Sequence, residues 1–337
     1  MKPIRITKMK PDVYNYDCIH YRAWYFYNQE ELRKQFYTDI IGSGLDVNWT
    51  QDKFTFVLDF MAEGADAVLA KSLIDLIYEK CKNCKIVTFV TPVADTTTDT
   101  SIIETPWYMA SHCNIHKTLD LPYINKVDKK FICMIRRPSW SRARLAYPLV
   151  KALQENLIIS FDSRNVASQH YQNYFADIEL PLTIDGVEKD QTEQHDQSDE
   201  VFWNCLFNIV VETSSQHDTN IWRSKFITEK TFKAFYMRQI PIWFAVPGLV
   251  EQVKQLGFDI FDDIVDHSYD EIQEEHDRIQ FLVTQVMQLN LAYTTAECEV
   301  LRKHLSSRLE KNFQLAKDYA NRISDYKYKT LNKMLSE

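Results

Sequence analysis

Apolar residues recur along this 337-residue chain at two alternating periods, and those periods lay out its elements. In the first part, DKFTFVLDF (52–60) alternates and then runs apolar, which predicts a strand. AVLAKSLIDLIYEK (67–80) spaces its apolar residues by three and four, as a helix does, and CKIVTFVTPV (84–93) is a short continuous run that suits a buried parallel strand. Polar ADTTTDTS (94–101) reads as the loop after it. The second part repeats this logic with a strand at KKFICMI (129–135) and a turn at RPSWSR (137–142). A helix perturbed by Pro148 follows at RLAYPLVKALQEN (144–156), then a strand at LIISFDS (157–163). LFNIVVET (206–213) and IPIWFAV (240–246) are further buried strands. Between them lies a helix that Thr228 caps and that carries Phe232, Phe235 and Tyr236 at helical spacing. PGLVEQVKQLGF (247–258) is a short helix with Pro247 near its start and Gly257 at its end, and the chain is helical from Tyr269 onward.

Strands alternating with helices imply parallel sheets covered on both faces. The expected architecture is α/β: two doubly wound domains facing a cleft, with a helical extension. The boundaries fall at 1–125, 126–270 and 271–337. Ligands in such sheets bind beyond the carboxyl ends of the strands. The Arg-rich turn after 129–135 and the polar segment after 206–213 both lie at such ends.

Composition narrows the class without naming a chemistry. Hydrophobic residues make up 45% and charged residues 26%, a soluble globular balance. No run of about 18 apolar residues is present and the N-terminus lacks an apolar signal core, so the expectation is a cytosolic protein that does not meet membranes. Seven scattered cysteines predict reduced thiols rather than a disulfide framework. Cys81 and Cys84 form a lone CxxC, and His112, Cys113 and His116 are loop residues, so no zinc site is expected. Net charge is −8 but uneven. Lys126 to Arg144 holds seven Lys and Arg against one Asp, while EKDQTEQHDQSDE (188–200) reads as an acidic solvated loop.

FITEKTFKAF (226–235) sets the chemical question. Lys230 falls in the first helical turn, with Arg223 and Lys225 just upstream, although a helix N-terminus already carries about half a positive charge. The crowding is resolved if an anion binds there, since free backbone N–H groups and the dipole make phosphate a natural guest. Thr228 would cap the helix or bond the ligand, Lys230 would supply a point charge, and Arg142 or Arg144 a bidentate fork. Glu229 would accept from a ribose hydroxyl. In the bland alternative, Glu229 satisfies the dipole and Lys230 points to water. Neither GxGxxG nor GxxxxGK[ST] occurs.

The segment NIVVETSSQHDTNIWRSKFITEKTFKAFYMRQIPIWFAVPG resembles the donor-binding part of GT-B glycosyltransferases related to α-fucosyltransferases. The second half, roughly 129–285, is similar to glycosyltransferase-like proteins of phages and large viruses. The likeness rests on LPLTID (180–185), the ET and TEKTFK elements, PG (247–248), LGF (256–258) and DHSYDEI (266–272). The resemblance implies a GT-B arrangement of two Rossmann-type domains and a donor site of Arg142, Arg144, Glu212, Thr213, Lys225, Thr228, Glu229 and Lys230. In it, Lys230 and an Arg hold the donor diphosphate and Glu229 meets the ribose. Arg136, Arg137, Arg142 and Arg144 are all available for the Arg, with Arg142 favoured. Thr213 stands where that family has Asn.

The implied reaction is transfer of a hexosyl or pentosyl group from a GDP- or UDP-sugar to an acceptor hydroxyl. With no DxD motif, Lys230 and Arg142 take the place of a metal, and no cofactor is expected. An inverting displacement needs a base, for which Glu63 is preferred over Asp59 and Glu104. His217 is a further candidate for donor contact. The acceptor is a glycan, a protein, a metabolite or a modified base in phage DNA; the last calls on the Lys126–Arg144 patch and on Arg302, Lys303, Arg308 and Lys311. A non-catalytic nucleotide-sugar sensor on the same scaffold is the competing reading.

Overall fold

The structure is a computed structural model that describes residues 125–135, 138–162, 167–182, 202, 204–212 and 227–319, together with the backbone of five strands before residue 105. The chain divides into two compact units. One comprises Met1–Met109, His217–Phe226 and Arg322–Glu337, the other Ala110–Gln216 and Ile227–Asn321.

The described part of the first unit is a five-stranded sheet of β1 (Thr7–Lys8), β2 (Cys18–Arg22), β3 (Thr55–Asp59), β4 (Lys85–Val90) and β5 (Ile102–Glu104). The strands lie in chain order, β1 antiparallel to β2 and the rest parallel. The expected strands at 52–60 and 84–93 are β3 and β4, each shorter than the apolar pattern. Among the described strands this sheet shows no reversal of order, the mark of a doubly wound sheet. The helix expected at 67–80 and the loop at 94–101 lie outside the described residues.

The second unit is built on four parallel strands: β6 (Lys129–Ile135), β7 (Leu157–Phe161), β8 (Cys205–Val211) and β9 (Ile240–Phe244). Their spatial order is β7-β6-β8-β9. The chain passes from β6 to one side, then crosses back to place β8 on the other side. That reversal creates a topological switch point between β6 and β8. Every residue of β8 and β9 is buried. Successive side chains point to opposite faces, so burial of the whole strand requires cover on both, as in an α/β sheet.

Helices α1 (Trp140–Leu153), α2 (Ser168–Phe175), α3 (Glu229–Tyr236) and α4 (Leu249–Gln255) follow the four strands in turn, and α5 (Glu275–Ala292) and α6 (Thr295–His304) come after them. The chain is helical again at 306–319. Helix α1 begins four residues before the expected start, because Ser139 is its N-cap and accepts from the Arg142 backbone N–H at 3.3 Å. Part of the expected turn is therefore helix, and Pro148 lies inside α1 without ending it. Helix α3 has the expected start, and Phe232, Phe235 and Tyr236 are all buried. The Phe235 ring stacks on Phe258 with centroids 4.2 Å apart. Gly257, with φ of 90°, turns the chain out of α4 in a conformation that other residues rarely adopt.

Two buried cations fasten the C-terminal helices to the sheet. The Lys130 ammonium donates to the carbonyls of Asn290 and Tyr293, both at 2.7 Å, at the negative pole of α5. The Arg302 guanidinium donates to Lys126 O at 2.9 Å and to Cys205 O. Arg308 grips Asp259 and Asp263 at 2.6–2.9 Å. Much of the basic character noted around 126–144 and in the tail thus serves the protein's own packing.

Candidate functional site

The switch point brings together the two strand ends singled out in the sequence. Arg142, in the first turn of α1 after β6, donates from Nη2 to the carbonyl of Glu212, the residue after β8, at 3.0 Å. Glu212 continues the ladder by donating its N–H to Phe244 O at 3.0 Å, and none of its surface is accessible.

The Glu212 carboxylate turns to the N-terminus of α3. Its Oε1 accepts from the Thr228 backbone N–H at 3.1 Å and from Thr231 Oγ1 at 2.6 Å, and its Oε2 accepts from the Thr228 hydroxyl. The positive pole of α3 therefore already faces a buried carboxylate belonging to the chain. Thr231 Oγ1 in turn accepts from the indole Nε1–H of Trp243 at 3.0 Å, and the Trp243 backbone N–H donates to Tyr269 Oη at 3.0 Å. Four buried side chains, Glu212, Thr228, Thr231 and Trp243, hold this helix start. Thr231 and Trp243 were not expected there. The signal for Thr231 is its place in the first turn of an otherwise apolar face, three residues after the cap.

Thr228 caps the helix, as one of its two expected roles requires. Its hydroxyl donates to Glu212 and accepts from Lys230 N and Lys230 Nζ, both at 3.2 Å. A hydroxyl has one donor and two acceptor positions, so its capacity is used in full. Lys230 folds back over the cap and pairs with Glu229 at 3.3 Å; their side chains are 17% and 12% accessible. The ammonium is thus held at the helix end rather than extended into water. Lys230 and Lys233 also line a small pocket with Met134, Phe202, Asn208 and Val210. Lys233 is buried, with its ammonium 3.6 Å from the Phe202 ring centroid.

No model of a known protein family, no curated protein and no solved structure matches this chain.

Arg144 does not join Arg142 at Glu212. Residues two apart on a helix point to different sides, and Arg144 lies 3.9 Å from the Glu275 carboxylate at the start of α5. Arg136, Arg137, Thr213, His217, Arg223 and Lys225 lie outside the described residues, as does Glu63. Asp59 and Glu104 are the last residues of β3 and β5, at the carboxyl edge of the first sheet.

Among the described residues, no group of three His, Cys, Asp or Glu is placed to hold a metal ion. Burial pushes the Cys133 and Cys205 thiols up to about 12 and that of Cys298 to about 11, far from nucleophilic use. Cys81, Cys84, His112, Cys113 and His116 lie outside the described residues. Among the described residues, no helix is long and apolar enough to cross a membrane.

The chemical capacity of the arrangement is electrostatic. Arg142 and Lys230 reach Glu212 and its capping partner from two elements, at the carboxyl edge of a parallel sheet. Cations held by partly buried hydrogen bonds can stabilise developing negative charge with little reorganisation at the moment of reaction.

Proposed function

We propose that the protein is a glycosyltransferase of the GT-B class that transfers a sugar from a nucleoside-diphosphate donor to an acceptor hydroxyl. One observation carries the reading: Arg142 and Lys230 converge on Glu212 and Thr228 at the switch point of a doubly wound parallel sheet. Open α/β sheets use this position for phosphorylated ligands. The likeness of the ET and TEK elements to fucosyltransferase donor segments supports the same assignment.

In this mechanism, Glu229 and Lys230 form an ion pair that the donor opens. Lys230 turns to the diphosphate as it leaves the anomeric carbon, and Glu229 turns to the ribose hydroxyls. Arg142 supplies the second cation. Glu212, wholly buried, acts as a positioning residue that fixes the N-terminus of α3 and, through its carbonyl, the Arg142 guanidinium. Glu63 is the proposed base for the acceptor hydroxyl, and the proposed donor is a GDP- or UDP-sugar.

The test is a thermal-shift screen with GDP, UDP, CMP and dTDP, followed by assay of nucleoside-diphosphate release from the matching nucleotide sugars. A ligand at 100 times its Kd adds about 2.7 kcal/mol of stability, a clear shift in Tm. Lys230→Ala is expected to remove the shift while leaving the ligand-free Tm within a few degrees of the parent. Full stabilisation of Lys230→Ala by every nucleotide that stabilises the parent refutes the phosphate assignment. Binding without sugar release from any donor, unaffected by Glu63→Ala, refutes the enzymatic reading in favour of a sensor.

A further inference from the structure

Trp140, the first residue of α1, keeps 43% of its surface accessible. Cα–Cβ bonds in a helix tilt toward its N-terminus, so a side chain on the first residue leans back over the helix start. The indole therefore lies toward the turn after β6, at the carboxyl edge of the sheet that also carries the Ser139 cap and Arg142. Three rings of α2 brace it. Tyr171 lies at a centroid distance of 5.0 Å, His170 at 5.4 Å and Tyr174 at 5.9 Å, with interplanar angles of 68°, 61° and 89°. All three meet it edge to face, and none stacks parallel on it. Tyr171 is buried behind this group, while Tyr174 is 37% accessible beside the indole. A large aromatic ring is thus held in one orientation by its neighbours and left open to solvent.

We propose that Trp140, braced by His170 and Tyr174, is the stacking platform for the base of the nucleoside diphosphate. The inference rests on the donor reading above, in which Arg142 and Lys230 meet the phosphates. Trp140 and Arg142 are two residues apart, roughly 3 Å along the helix axis, and point to different sides of it. A ligand that engages both must lie across the first turn of α1, with a flat end on the indole side and an anionic end on the Glu212 side. A nucleoside diphosphate has these two ends. Its base is the flat, unsaturated part, which stacks on an indole whatever its identity. The sugar ring of the donor lacks that flat π-face. Arg144, four residues after Trp140 and therefore on the same side of α1, adds a half-exposed guanidinium beside the platform.

Isothermal titration with GDP, UDP and inorganic pyrophosphate tests the platform on the parent, Trp140→Ala, Trp140→Phe and Lys230→Ala. Trp140→Ala is expected to weaken whichever nucleoside diphosphate binds by roughly 5- to 150-fold and to leave pyrophosphate within about twofold. Trp140→Phe keeps a ring and retains most of the affinity, which separates stacking from damage to the fold. Lys230→Ala weakens all ligands that carry the diphosphate. The platform is overturned if Trp140→Ala binds the nucleoside diphosphate like the parent, or if it weakens pyrophosphate to the same degree. In both cases the donor reading survives, provided that Lys230→Ala abolishes binding. A parent that binds none of the three removes the donor reading and the platform together.

Discussion

Replacing Thr231 by Val keeps the side-chain shape and deletes one hydroxyl, and that hydroxyl serves two buried partners. It donates to Glu212 Oε1 at 2.6 Å and accepts from Trp243 Nε1 at 3.0 Å, where both residues are 1% accessible or less. A hydrogen bond to a charged group contributes about 1.5–3 kcal/mol, and leaving a buried donor without a partner costs about 1–3 kcal/mol. Both losses share one oxygen and fall short of simple addition, so Thr231→Val is expected to cost roughly 3–4 kcal/mol. For a folding unit of about 150–250 residues this lowers Tm by roughly 6–16 °C. Thr231→Ser retains the hydroxyl and loses only a methyl group, so it should fall far closer to the parent. Urea denaturation of the parent, Thr231→Val, Thr231→Ser, Trp243→Phe and the double variant completes the measurement. The double-mutant cycle should show a coupling of about 0.5–3 kcal/mol between positions 231 and 243. Equal stability of Thr231→Val and Thr231→Ser, or a coupling near zero, would refute the view that this hydroxyl joins the helix start to β9.

Two further predictions concern the segment after β9. Burial holds the His267 pKa below its ordinary value of 6.5, against the opposing effects of the Ile260 carbonyl, Asp262 and Asp266. Above 6.5 the imidazole is neutral both folded and unfolded; below it the unfolded chain takes up the proton first, and stability is lost as pH falls through the folded pKa. His267→Gln should therefore show its largest deficit against the parent near pH 7, with the gap narrowing toward pH 5 in urea melts; a constant gap would contradict this. Asp270 Oδ2 accepts from Val250 N at 3.0 Å and Glu251 N at 3.3 Å, capping α4 from a distant segment. Asp270→Ala should cost about 1–2 kcal/mol by the same assay, and an unchanged midpoint would exclude the capping role.

The elements legible in the sequence were those whose side chains fill a space on both sides. The apolar run 129–135 coincides with β6, and the Thr228 cap with its aromatic face gave α3, because burial and periodicity act on the same residues. Helix α1 starts earlier than the pattern indicates because its cap is Ser139 with Arg142, not an acid, at the third position, and its first turn has no acidic residue. Strands β2 and β5 span five and three residues and are interrupted or ended by His20, Arg22 and Glu104, so neither periodicity nor a long continuous run marks them. Glu212 posed a different problem. Sequence placed it at a strand end, where an acid facing a ligand and an acid facing the protein's own helix look alike. Only the direction of the side chain separates the two.

That direction changes what the motif residues can be asked to explain. In DHSYDEI, Tyr269 accepts from the Trp243 backbone and Asp270 caps α4, while His267 Nδ1 lies 3.0 Å from Tyr269 Oη. Gly248 takes a left-handed conformation at the start of α4, Gly257 does so at its end, and Leu182 of LPLTID pairs with Phe161. Each of these residues has a structural task in the scaffold that holds β8, β9 and α3 in place. So do Glu212, Thr228 and Thr231. Arg142 and Lys230 are left as the cations at the strand ends whose placement suits an anionic ligand, with Glu229 as the acid paired with Lys230. The tasks of the other described residues in these segments belong to the fold, whatever the ligand is. A chain that kept the fold and lost the chemistry would retain them all, so the discriminating substitutions are those at Arg142 and Lys230. Charge reversal there should abolish nucleotide binding, and because it removes the donors to the Glu212 carbonyl and the Thr228 hydroxyl it should also lower the urea midpoint; nucleotide binding at the parental affinity would refute the assignment.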